Sequence, residues 1–114
     1  DCATVQDFHR ELEPQICTPG EIASLLDGRS DAVRQLGLAA LFAIKEAFYK
    51  AQYSITGAWL GFEDVEVSFD AALTASGSYV LTLRRMAGDF VSGTRFDGRW
   101  ASDGRRCVAV QAIV

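Results

Sequence analysis

The chain has 114 residues, 49% of them hydrophobic, and a formal net charge of −4. That length suits one domain with one core, and the hydrophobic content is too high for disorder. The modest acidic balance argues against nucleic acid or an anionic membrane surface as the main partner.

The first residue is Asp1, which points either to a removed targeting segment or to a trimmed chain. The longest apolar run, Leu38–Ile44, falls far short of the roughly 20 residues a membrane span needs. Any membrane attachment would therefore use a removed N-terminal segment. Three cysteines, Cys2, Cys17 and Cys107, form no CxxC pair, so zinc is not expected. A Cys2–Cys17 disulfide would staple an irregular N-terminus, with Cys17–Cys107 pairing or free thiols as alternatives. Closing such a loop stabilises by roughly 3 kcal/mol on the chain-entropy model. A disulfide favours an extracytoplasmic protein.

Residues 1–28 form an N-terminal helical segment. A short helix around Val5–Leu12 ends at Pro14, and Thr18-Pro19-Gly20-Glu21 then reads as a helix start. Thr18 caps, Pro19 fits the first helical position and Glu21 completes a capping box. Gly28 ends that helix. Ser30 or Asp31 starts a long helix over 30–52. Its apolar positions include Val33, Leu36, Ala40, Leu41, Ile44, Ala47 and Phe48, spaced by three and four. Arg34, Lys45, Glu46 and Lys50 populate the other side. Leu38–Ile44 is apolar on every side. Either the Thr18–Asp27 helix or a second molecule must cover what the sheet does not.

After Gln52 the period falls from 3.6 to 2. Tyr53–Glu63 is a loop. Val65, Val67 and Phe69 alternate with polar residues as a strand. A turn at Thr74–Gly77 leads to a second strand with Tyr79, Leu81 and Leu83 on one face. Phe90–Phe96 reads as a third strand, Asp97-Gly98 as a hairpin turn, and Arg106–Ile113 as the last strand. The fold class is α+β, with short N-terminal helices and one long helix packed on a four-stranded antiparallel meander over 64–113. Residues 1–114 make one domain.

No catalytic constellation is visible. His9 is the only histidine and lies in the least regular segment, and no glycine-rich phosphate loop or paired catalytic carboxylates occur. No cofactor or metal is expected. The aromatic residues Tyr49, Tyr53, Trp59 and Trp100 are candidates for lining a ligand pocket.

The segment AALFAIKEAFYKAQYSITGAW, followed by strands, resembles the globular part of a type IV pilin or type II secretion pseudopilin. Ala43, Ala47, Phe48, Tyr49 and Tyr53 carry the likeness, and the tail GTRFDGRWASDGRRCVAV adds to it. The resemblance implies a non-catalytic subunit that is secreted, periplasmic or at the cell surface. Its protein partners would be copies of itself or other envelope subunits, packed through Leu38, Leu41, Phe42 and Phe48. The alternative is a small-ligand-binding helix-plus-sheet domain, which requires a cavity of at least about 300 Å³ between helix and sheet.

Overall fold

Helix caps and alternating strands assemble as an α+β structure in the computed structural model, which describes residues 1–70 and 75–113. Thr74, assigned above to a turn, lies outside them. Strand β1 spans Cys2–Thr4. Two single 3-10 turns lead to α1 (Glu13–Ile16) and α2 (Pro19–Glu21), and α2 continues as a wider π-type turn to Leu26. The long helix α3 spans Asp31–Thr56. Strands β2 (Val65–Phe69), β3 (Ser76–Leu83), β4 (Arg95–Ser102) and β5 (Arg106–Gln111) complete the chain.

Local chemistry sets the helix ends. At α2 the Thr18 hydroxyl accepts from the Glu21 amide at 3.1 Å, and the Glu21 carboxylate accepts from the Thr18 amide at 2.8 Å. This is the reciprocal box expected from Thr-Pro-Gly-Glu. Ser30 caps α3 by accepting from the Val33 amide. The helix runs past Gln52, where the sequence reading ended it. No breaker intervenes before Gly57, which closes the helix in the left-handed region at φ 68°.

The sheet is antiparallel in the order β1-β5-β4-β3-β2, with five strands among the described residues rather than four. The additional strand is β1, which pairs Ala3 with Cys107 across nearly the whole chain. The third strand is displaced. Phe90 belongs to an irregular segment, packing edge-on against Phe96 with ring centres 5.3 Å apart. Asp97 and Gly98 lie inside β4, and the turn falls at 103–105, where Asp103 accepts from the Arg105 and Arg106 amides.

Gly98 is in β4 because Tyr79 passes over it. Tyr79 and Gly98 are register partners, and the Tyr79 hydroxyl reaches across β4 to donate to Gln111 Oε1 at 2.8 Å. A Cβ on Gly98 would overlap the Tyr79 ring.

The core lies between α3 and the inner sheet face. Leu38, Leu41 and Ile44 meet Val65, Val67, Tyr79, Leu81, Leu83, Trp100, Cys107 and Ala109, all buried. Each buried Leu or Ile contributes roughly 1.5–3 kcal/mol. The N-terminal segment covers the opposite side of α3. Phe42 sits between Phe8 and Phe62, with ring centres 5.0 and 5.7 Å away. The chain's own residues therefore cover the apolar centre of the helix. Leu38, Leu41 and Phe48, expected at an interface, are core side chains, and Phe42 is half-buried.

Gly98→Ala is expected to destabilise the fold by about 1–3 kcal/mol by forcing the Tyr79 ring to move. Chemical denaturation checks this, and an unchanged midpoint would rule the close approach out.

Candidate functional site

The helix α3 carries polar residues where its spacing calls for apolar ones. Arg34, Leu38, Leu41, Lys45, Phe48 and Gln52 follow one another at intervals of three and four, and all are buried. Arg34 and Lys45 therefore do not join the solvent side assigned to them from sequence. Each meets a specific partner, as buried charge requires.

Arg34 grips α1. Its Nε donates to Glu13 Oε2 at 3.1 Å and its NH2 to Glu13 Oε1 at 2.6 Å, a bidentate pair. It also donates to the Leu26 carbonyl. Gln52 donates to the Ala58 carbonyl, tying the helix end to the following loop.

Lys45 makes the most connections. Its ammonium donates to Glu21 Oε1 at 2.7 Å, to the Ile16 carbonyl at 2.8 Å and to the Phe62 carbonyl at 2.8 Å. Those three bonds use its three protons. Glu21, 0% exposed, also accepts from the Val67 amide of β2 at 2.7 Å. The Thr18 hydroxyl, which caps α2, donates to Glu66 at 2.8 Å.

Beside this network lies a pocket of about 190 Å³. Lys45, Glu46, Phe48 and Tyr49 form its helix wall. Leu60, Gly61 and Phe62 form the loop wall, and Val65 lies at the start of β2. Glu46 is the one carboxylate in this lining and is half-buried. The Tyr49 hydroxyl is held above its usual pKa by lost solvent, then by Tyr53 and Glu46. Lys50, one turn beyond Glu46, keeps an exposed ammonium that pairs with Asp1 at 3.0 Å.

Of the four aromatic candidates, three come together. Tyr49, Tyr53 and Trp59 have ring centres 5.1–6.0 Å apart. Trp59 is 73% exposed. Trp100 is elsewhere, buried in the core edge-on to Phe69. The groove of about 340 Å³ between α3 and β5, lined by Ala47, Lys50, Ala109 and Val110, contains none of the four aromatic candidates. His9 is exposed on the N-terminal segment.

The Cys2–Cys17 bridge is not formed, and all three thiols are free. Cys2 is held in β1 opposite Val108, whereas Cys17 is buried at the end of α1. Burial, aided by the Glu21 charge, pushes the Cys17 thiol up to about 12.

Residues 1–106 match the model of the 4'-phosphopantetheinyl transferase superfamily. The chain belongs to that family. It is 32% identical over 115 residues to the 4'-phosphopantetheinyl transferase PptT of Mycobacterium tuberculosis, covering 91% of this chain and 50% of the relative. It is 30% identical over 105 residues to the transferase Svp of Streptomyces mobaraensis, covering 81% of this chain and 41% of the relative. With the transferase Npt of Nocardia iowensis it shares 37% identity over 67 residues, 53% of this chain and 30% of the relative. The chain thus spans about half the length, or less, of these curated relatives.

This assignment overturns the pilin resemblance and the non-catalytic, envelope-assembly role drawn from it. The family is one of enzymes. The likeness to pilins lay in an alanine- and aromatic-rich helix, a texture that any half-buried helix on a sheet can share. A secreted, periplasmic or cell-surface location loses its support with the resemblance. Among the described residues no helix is long and apolar enough to cross a membrane. The small-ligand module falls too, since the family is one of transferases and Trp100 stands apart from the other aromatics.

Sequence reading missed Glu21, Lys45 and Glu46 as a group. The available signal was phase: Lys45 falls on the buried stripe, one residue after an all-round apolar run. A charge there needs a buried partner, and the capping-box Glu21 was the candidate.

At pH 8, iodoacetamide is expected to modify Cys2 alone, because a raised thiol pKa leaves little reactive thiolate at Cys17. Intact mass before and after unfolding reads this. An alkylation-resistant Cys2 with two hydrogens missing from the mass would restore the Cys2–Cys17 bridge.

Proposed function

We propose that this chain forms part of an enzyme that transfers a 4'-phosphopantetheinyl group, with the α3 pocket contributing to the transfer site. The family match over residues 1–106 carries this reading. The three relatives are each named for that same transfer.

Transfer of a phosphate-linked group requires the acceptor oxygen to bond to phosphorus while the bond to the leaving phosphate breaks. The acceptor's proton must go to a base. The protein's part is positioning and charge management. The pocket residues suit that work. Glu46 presents a half-buried carboxylate from a rigid helix turn, where it can accept a proton or offer one oxygen to a divalent cation. Among the described residues no group of three or more acids, histidines or cysteines could hold a metal. Glu46 would supply one ligand to such a cation, and phosphate oxygens would supply others. A bound cation would offset charge on the phosphates. Lys50 places an exposed cation one turn away. The aromatic cluster of Tyr49, Tyr53 and Trp59 gives an apolar surface beside these charges.

The test uses the full-length protein and coenzyme A labelled on its thiol, a donor that carries the group through a phosphoanhydride. Covalent labelling of acceptor proteins in a soluble extract is expected, read on a denaturing gel. Glu46→Gln is expected to slow labelling by about 10²–10³-fold at an unchanged melting temperature. Folded protein that transfers no label would overturn the reading, and an unimpaired Glu46→Gln variant would remove the pocket from it.

A further inference from the structure

Glu21 and Lys45 touch all three walls of the α3 pocket without opening a charge into it. Lys45 belongs to the helix wall, and its ammonium holds the Phe62 carbonyl of the loop wall at 2.8 Å. Glu21 receives that ammonium on Oε1 and the Val67 amide on Oε2, two residues along β2 from Val65. Neither side chain has a proton or lone pair aimed at a ligand, and their side chains are 0% and 2% exposed. Their geometry therefore bears on the site only through what they hold.

We infer that Glu21 is a positioning residue of the transfer site, acting through Lys45 to fix the spacing between the Glu46-bearing turn of α3 and the loop at Leu60–Phe62. This rests on the reading of the α3 pocket as part of that site. Glu46 follows Lys45 directly, so the ammonium that ties Lys45 to Phe62 also sets how far Glu46 stands from the opposite wall. Glu21 holds the ammonium in place, and its second oxygen fixes β2 in the same frame. A glutamine at position 21 has the same shape but one oxygen and one amide. It cannot accept from both Lys45 and Val67, and its amide would oppose either the Val67 amide or the Lys45 and Thr18 donors.

The experiment compares full-length wild type with Glu21→Gln and with the paired variant Glu21→Leu/Lys45→Met, which leaves no buried charge unpartnered. Transfer from labelled coenzyme A is followed with donor concentration varied. Glu21→Gln is expected to lower kcat by about 10–100-fold while KM for the donor changes less than about 3-fold, the pattern of a misplaced reacting group. The paired variant is expected to fold and to remain impaired in kcat, because Phe62 has lost its donor. Hydrogen exchange supplies a readout independent of activity: the amides of the 60–62 loop should exchange about tenfold faster in either variant, with Leu38–Ile44 unchanged. Wild-type protein without transfer activity would remove the functional reading alone, leaving the exchange result to decide on the clamp. Wild-type kcat in a folded variant, unchanged loop exchange, or variants that no longer fold would each overturn the positioning role.

Discussion

An ammonium and a carboxylate meet at 2.7 Å in the centre of this structure, with neither side chain more than 2% exposed. Desolvating two such ions costs several kcal/mol each, and their mutual attraction offsets this only when every remaining donor and acceptor is satisfied. Here that condition holds. Lys45 has two backbone carbonyls besides Glu21, and Glu21 has two backbone amides besides Lys45. Those backbone partners come from α1, α2, the loop before β2 and β2 itself. A pair that is costly in isolation thereby becomes the junction at which four stretches of chain acquire a fixed relation to α3.

The same logic repeats along the buried stripe of the helix. Arg34 ties α1 to its first third, Lys45 ties α2 and the loop to its middle, and Gln52 ties the loop after Gly57 to its end. Apolar residues between them, Leu38, Leu41 and Phe48, supply the non-directional burial. Hydrophobic contact alone would let the N-terminal segment slide on α3, whereas the polar ties set its register. The proposed transfer site would gain from that arrangement, since its groups would have to be held to within fractions of an ångström.

Much of the scaffold was legible from local chemistry. The Thr18–Glu21 box, the Ser30 cap and the alternations at Val65–Val67 and Tyr79–Leu83 are short-range signals, and they appear where the residues place them. Features with long-range causes were not legible. Three residues at Cys2–Thr4 become a strand only because β5 offers an edge. Asp97-Gly98 has the chemistry of a turn, yet the Tyr79 ring needs that glycine in mid-strand. Within the site, Lys45 and Glu46 looked like two adjacent surface charges. Helical phase separates them, sending Lys45 into the core and leaving Glu46 half-exposed at the pocket. The amount of alanine and aromatic residue in this helix says little about function, and the position of its charges relative to the apolar stripe says more.

A double-mutant cycle on unfolding free energy tests most directly whether Glu21 and Lys45 act as one unit. Glu21→Gln, Lys45→Met and the combination are compared with wild type under the same conditions. Two residues sharing one network are expected to couple by about 1–3 kcal/mol, the second substitution costing far less once the first is made. Additive effects, within about 0.5 kcal/mol, would show that the two side chains contribute independently and would contradict the account.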